Sequence, residues 1–532
     1  MRTNLPLLFF FLIIGIISSC KNQVPKEVSP EIPPAEILYH LCQRSFYDSN
    51  GDSHGDLRGL MQKLDYLQEL GITSILLLPL YESVFYHNYF PIDFKKIDPE
   101  FGTEVDFLEL VKEIHKRDMR IYMDMEVHYI TEDHLWFKES YQNPESEYSR
   151  YIIYNDSLNE KPESIVWDLK ELTGYDSTTK KVMTLNLYDE KCKAYIYDLF
   201  KYWLDPNQDG NFEDGVDGYR IDHMMDDLDW KNGLIPNMLT EFWQPLIAEL
   251  KSINPDITIM GEQAEWDDYG ADYFKKAELD WVFAFGAKSG INNFDKAELI
   301  SKYDSAFAIT PEGKNQVIFI ENHDVTRFAT QVENQLPKMK VGAAFNLLLK
   351  GIPSIYYGQE IGMKGLNNQY KNIDGNHIPL REAFEWYEKW DKPGMALWYK
   401  DTGPWWTNTS LKNSDGISYE EQKKDENSLW HFYKKLIELR KSHIAISEGD
   451  MYFFANGNEA VVSMLRNKLD QFIFININLS NQMQNAAIAT SAIEGMKLPF
   501  KTLLGEADYQ VEESKLKFQL KPFEVQVLKI QN

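Results

Sequence analysis

Three short apolar runs, each closing on a carboxylate, constrain this chain more than any other feature. They are Gly215-Val-Asp-Gly-Tyr-Arg-Ile-Asp222, Ile257-Thr-Ile-Met-Gly-Glu262 and Gln316-Val-Ile-Phe-Ile-Glu-Asn-His-Asp324. Strand side chains alternate between faces, so Gly218, Arg220 and Asp222 point one way while Tyr219 and Ile221 point the other. That alternation sets a guanidinium beside a carboxylate, which favours the ionised acid that a nucleophile requires. Arg/Asp pairs at strand ends are more often structural, so this pair decides nothing alone. The surrounding pattern carries it further. Strand-like runs at Ile37–Gln43, Thr73–Pro79, Arg120–Asp124, Ile257–Gly261, Leu279–Phe285, Val317–Glu321 and Gly351–Glu360 alternate with helical stretches such as Leu57–Leu70, Glu104–Arg117, Glu190–Leu204 and Lys338–Leu349. Repeated β/α units imply a parallel α/β barrel, whose chemistry sits at the C-terminal strand ends where the acids fall.

Taken in order, GYRID, MGEQAEW and ENHD resemble the second, third and fourth signature regions of the α-amylase superfamily of retaining glycoside hydrolases. The resemblance covers nearly everything after residue 35. It implies a (β/α)8 TIM barrel over about 36–446, with an inserted domain after strand 3 (about 126–184) and a C-terminal β-sandwich over 447–532. Thr184-Leu-Asn-Leu187 resembles the auxiliary signature at the exit of the insertion. Past Ser447, Glu459–Leu465, Gln471–Asn476 and Lys515–Leu520 alternate with the period of sandwich strands. By the resemblance Asp222 is the nucleophile, Glu262 the general acid/base, and Asp324 the acid holding sugar hydroxyls. It also makes Tyr89 the ring under the cleaved sugar and His323 a contact to that sugar. Arg220 keeps Asp222 charged, whereas Glu262 has no evident cation and lies near Trp266, so its pKa is expected to rise. Arg327 either pairs with an acid or binds substrate. Aromatics along the eighth loop, Trp398 to Trp406, include candidate sugar platforms that sequence cannot single out.

Two loops offer oxygens at metal-binding spacing. In Asp48-Ser-Asn-Gly-Asp-Ser-His-Gly-Asp56 the donors are Asp48, Asn50, Asp52, the His54 carbonyl and Asp56, a set suited to calcium. Its likeness to the metal loop of the oligo-glucosidase branch strengthens a structural calcium there. In Asp205-Pro-Asn-Gln-Asp-Gly-Asn211 the side chains of Asp205, Asn207 and Asp209 with the Asn211 carbonyl form a possible second site, although Val216 stands where a closing Glu is usual.

The first nineteen residues read as a signal peptide: Arg2, an apolar run of about 13 residues to Ile17, then Ser18-Ser-Cys20. Cys20 is the expected lipidation site, with residues 20–35 as a tether. This implies an exported, lipid-anchored protein on a bacterial membrane. A net charge of −27 argues against nucleic acid but does not repel a neutral α-glucan or maltooligosaccharide. Cys42 and Cys192 imply no disulfide framework. Transfer or isomerisation by the same acids, and a non-catalytic glucan-binding or chaperone-like barrel, are the alternatives to hydrolysis.

The third strand departs from the family pattern Asp-x-x-x-Asn-His. Here the run is Asp124-Met-Glu-Val-His128-Tyr129, and Phe90 stands where many relatives carry Asp. No calcium is expected at His128, and Tyr129 is the candidate contact to the sugar's primary hydroxyl.

Overall fold

The computed structural model describes residue 1 and residues 35–531 apart from 232, 267, 368–369, 371–373, 494–496 and 507. The chain divides at residue 33, and the fold described is that of the unit from Pro34 onward. Cys20 and all of the expected signal and tether except Met1 and Ala35 lie outside the described residues. Among the described residues no helix is long and apolar enough to cross a membrane.

Eight parallel strands close a barrel: β1 Leu38–Leu41, β2 Ser74–Leu77, β3 Arg120–Met125, β4 Gly218–Met224, β5 Thr258–Gln263, β6 Trp281–Phe283, β7 Asn315–Ile318 and β8 Ile352–Tyr356. Neighbours pair in chain order, and β8 returns to β1 through Leu38 opposite Ser354. Nearly every strand residue is buried because parallel strands of a barrel are covered on both faces. Leu38, Leu76, Tyr122, Met260, Phe283 and Val317 form one inward cluster. The helices pack outside. Helix α1, Leu57–Leu70, starts where the Asp56 side chain accepts the Gly59 N–H, and it stops at Gly71, whose φ of 101° is left-handed.

Register aligns the functional positions. Asp124 of β3 lies opposite Arg220 of β4, which lies opposite Met260 of β5. Gly218 permits the close approach of β4 and β5, since a Cβ there would sit 2.0 Å from the Thr258 carbonyl oxygen. The pairing then slips between Gly261 and Gln263, beside a left-handed His223 (φ 43°). This irregularity frees the strand ends at the barrel mouth.

Several elements differ from the sequence reading. Strand β7 ends at Ile318, although the apolar run continues through Phe319 and Ile320. Phe285, read as the end of β6, opens a helix, Phe285–Asn292. The stretch after β3 builds its own antiparallel sheet from Tyr129–Thr131, Thr179–Thr184 and Glu171–Thr173. C-terminal to the barrel, a five-stranded and a three-stranded sheet bury a shared core in which Phe474 stacks on Phe518 at 5.1 Å. Cys42 and Cys192 are buried, free thiols.

Candidate active site

Arg220 organises the barrel mouth. Its Nη1 donates to Asp124 Oδ1 at 2.8 Å and Oδ2 at 2.7 Å and also to Asp222 Oδ1, while Nη2 donates to Glu262 Oε2 at 2.6 Å. One buried guanidinium thus faces three carboxyl groups. Asp124, Asp222 and His323 are the one group of three or more acidic or imidazole side chains whose ligand atoms converge among the described residues. The Arg220 guanidinium and the Tyr89 hydroxyl already occupy the two acids' share of that space.

Burial and charge drive the acids apart. Burial pushes Asp222 up, but Arg220 and His223 outweigh it, so the carboxyl lies below its ordinary range. Glu262 goes far above its range: burial and the like charges of Asp222 and Asp324 overcome the help of Arg220. Burial lifts Asp124 to about 6 against the pull of Arg220. Asp222 and Glu262 hydrogen-bond each other. The contact of Glu262 with Arg220 was not evident in the sequence, where a cation two positions before one strand-end acid gives no hint that it also reaches the next strand.

Asp324 stands in a second cationic group. Burial raises it, yet His323 at 3.0 Å, Arg381 Nη2 at 3.0 Å and His377 Nδ1 at 3.7 Å hold it well below the ordinary carboxylate range. Arg381 lies beyond β8, and its Nε donates to the His323 carbonyl at 3.1 Å. The Tyr89 hydroxyl joins the two groups, donating to Asp124 Oδ2 at 2.8 Å and meeting His323 Nε2 at 2.8 Å, with the two rings stacked.

Two expected substrate contacts are spent elsewhere. Arg327 is fully buried, pairs with Glu321 Oε1 at 2.8 Å, donates to the Tyr357 carbonyl at 2.6 Å and lies over the Tyr356 ring. It braces the wall behind the mouth, and Arg381 is the guanidinium that reaches Asp324. Tyr129 is 4% exposed and its hydroxyl donates to Asp229 Oδ1, which His223 Nε2 also contacts at 3.2 Å. It is therefore not free to take a sugar hydroxyl. Trp266 is 46% exposed and stacks by one face on Phe285 at 4.7 Å. In the eighth loop Trp398 and Trp405 are buried, with Trp398 stacked on Tyr86, so those rings are packing.

In the first oxygen-rich loop, Asp48 Oδ1 accepts the Asn50 and Gly51 N–H groups, Asp48 Oδ2 accepts that of Ser53, and Asp56 accepts those of Ser49 and Gly59. Asp52 Oδ1 accepts the His54 N–H at 2.8 Å, and Asn50 Oδ1 accepts that of Asp52 at 2.9 Å. Asp48 and Asp56 are buried and have no ion-pair partner among the described residues. Buried carboxylates without a cation, ringed by further oxygens, fit a calcium ion. In the second loop Asp205, Asn207 and Asp209 are more open and accept the N–H groups of Asp209, Gly210 and Asn211. Asp214, two residues before Val216, is close enough for the charges of Asp205 and Asp209, after burial, to raise its pKa.

A closed parallel barrel with paired acids of opposite protonation at its mouth defines a class, the barrel glycoside hydrolases. The family model "Alpha amylase, catalytic domain" matches residues 40–449. The chain belongs to the α-amylase family of glycoside hydrolases, which act on α-glucosidic bonds. It is 31% identical to "Alpha-amylase 3" of Dictyoglomus thermophilum over 473 residues, covering 84% of this chain and 85% of that protein. It is 28% identical to an oligo-1,6-glucosidase of Parageobacillus thermoglucosidasius over 562 residues, covering 93% and 98%. The α-amylase crystal structure from H. orenii shares the fold, with a TM-score of 0.76 at 24% identity over 94% of this chain and 100% of that one.

Proposed function

We propose that the protein is a retaining hydrolase of starch-like glucans or maltooligosaccharides, with Asp222 as nucleophile, Glu262 as general acid/base and Asp324 as a binder of sugar hydroxyls. The observation that carries this reading is the buried Arg220 guanidinium that joins Asp124, Asp222 and Glu262 at the barrel mouth, with burial and charge displacing Asp222 down and Glu262 up. A charged Asp222 attacks the anomeric carbon while a protonated Glu262 gives its proton to the departing glycosidic oxygen. The Asp222–carbon bond then breaks as water, deprotonated by Glu262, adds to the same carbon. Asp324, held charged by His323 and Arg381, accepts hydrogen bonds from sugar hydroxyls. Tyr89 and the open face of Trp266 supply apolar surface for sugar rings.

Asp48, Asn50, Asp52, the His54 carbonyl and Asp56 would hold a calcium ion that fastens the loop after β1 to the start of α1. Asp205, Asn207, Asp209 and the Asn211 carbonyl form a weaker candidate. Export and lipidation at Cys20 are supported by Arg2, the apolar run to Ile17 and the small residues before the cysteine.

Product analysis on starch, maltose, isomaltose, sucrose and trehalose tests the substrate class and separates water from sugar as acceptor. Linear maltooligosaccharides cut to shorter ones with free reducing ends are expected. Exclusive release from isomaltose, or isomerised disaccharides from sucrose, would overturn the substrate assignment.

A further inference from the structure

A fourth carboxyl touches the same acid. Glu126 directly follows β3, is 1% exposed, and hydrogen-bonds Asp222. Its Oε1 accepts the His128 N–H and lies 2.9 Å from His128 Nδ1. His128 is fully buried, and its Nε2 has no hydrogen-bond partner among the described residues.

These contacts fix the protons. Two carboxyl groups in hydrogen-bond contact cannot both be ionised, so one keeps a proton. Asp222 has the Arg220 guanidinium, whereas the one ion-pair partner of Glu126 among the described residues is His128. The proton therefore stays on Glu126. An imidazolium at His128 would bury an N–H at Nε2 with nothing to accept it, which costs more than a bare lone pair. His128 is thus neutral and donates from Nδ1. Glu126 then accepts from the two His128 donors through Oε1, with Oε2 also 3.1 Å from Nδ1, and is the donor in its hydrogen bond with Asp222. Burial and the charge of Asp222 hold Glu126 well above its ordinary range, in the same sense.

We propose that Glu126 is a positioning residue for the nucleophile, a neutral carboxyl that donates a hydrogen bond to Asp222 and eases the return of charge to it when the glycosyl-enzyme breaks down. The proposal rests on Asp222 being the nucleophile. In the first step the Asp222 oxygen gives an electron pair to the anomeric carbon as the glycosidic bond breaks, so its charge is lost. In the second step the ester bond breaks, the pair returns to Asp222, and the proton of the attacking water goes to Glu262. A donor on Asp222 stabilises the carboxylate at both ends of this cycle. It therefore slows formation of the intermediate and speeds its breakdown.

The test is Glu126→Val and Glu126→Gln with an activated aryl α-glucoside, in steady state and in the burst phase. In Glu126→Val, breakdown should slow by roughly 10–100-fold, the range for a hydrogen bond to a charged group. Then kcat and KM fall together with KM falling further, kcat/KM rises because formation is no longer slowed, and a burst of released phenol appears. Glu126→Gln, whose amide N–H can still donate, should recover most of kcat. A drop in kcat/KM at unchanged KM, no change in Glu126→Val, or a Gln variant no better than Val would each overturn the proposal. If Glu126→Val does not fold, the infrared difference spectrum of wild type minus Glu126→Gln decides at neutral pH. A band from a protonated buried carboxyl is expected, and its absence refutes the neutral donor. Turnover surviving in Asp222→Asn would instead remove the nucleophile assignment on which the proposal stands.

Discussion

Replacing Arg220 by Lys should move the acid limb of the enzyme's pH profile toward neutrality. The guanidinium forks to Asp124, Asp222 and Glu262, whereas an ammonium on a flexible stem offers one point charge that cannot reach all three. A unit charge about 4 Å from a carboxylate at an effective dielectric of about 20 is worth ~4 kcal/mol. Losing even a third of that, about 1.4 kcal/mol, displaces a titration by about one pH unit. The sign follows from Asp222, whose pKa is lowered against burial chiefly by Arg220, so weakening the pair raises it. The pH dependence of kcat/KM should therefore show its acid limb moved toward neutrality, with a lower plateau. Stability should also fall, because breaking one partner of a buried ion pair typically costs roughly 3–5 kcal/mol. An unmoved acid limb in a folded Arg220→Lys protein would refute the argument that this guanidinium keeps Asp222 charged.

Removing calcium should lower the melting temperature without abolishing the fold. A site filled at a hundredfold excess over Kd contributes roughly 2.7 kcal/mol, and an identical melting curve in chelator would exclude the Asp48–Asp56 loop as a metal site. Glu360 is buried, accepts the hydroxyls of Tyr39 and Tyr66, and has its pKa raised by burial to about 7. The folded state then holds this proton more tightly than the unfolded chain, so stability declines as pH rises from the ordinary value of 4.5 to about 7. Glu360→Gln should flatten that part of the melting-temperature profile, and an unchanged slope would count against it.

The barrel was largely legible because buried parallel strands are continuous apolar runs separated by amphipathic helices. Helix α1 was readable to the residue, since Asp56 caps it and Gly71 ends it. Strand ends were less so. An apolar run marks burial rather than pairing, which is why Phe319 and Ile320 read as strand beyond the end of β7 and why Phe285 read as strand rather than helix. Alternation placed Arg220 and Asp222 on one face, but the guanidinium's contacts with Asp124 and Glu262 depend on the register of β3, β4 and β5, which no local pattern carries. Arg381 reaches Asp324 from a loop more than fifty residues downstream. Of the two roles the sequence left open to Arg327 the structure shows the ion pair, with Glu321, because the chain leaves strand geometry after Ile318 and turns the guanidinium away from Asp324. The sequence assigned Glu126 no role, and only burial against Asp222 and His128 gives it one.

The central claim is that Asp222 forms the covalent bond to the sugar. Its most direct test is mass spectrometry of the enzyme inactivated with a 5-fluoro-α-glucosyl fluoride, which accumulates the glycosyl-enzyme because breakdown is slowed more than formation. The account predicts one added glycosyl group, on the peptide containing Asp222, absent in Asp222→Asn and formed in Glu262→Gln because fluoride leaves without a proton. Label on Glu262 or Asp324, or turnover with no covalent adduct at all, would contradict it.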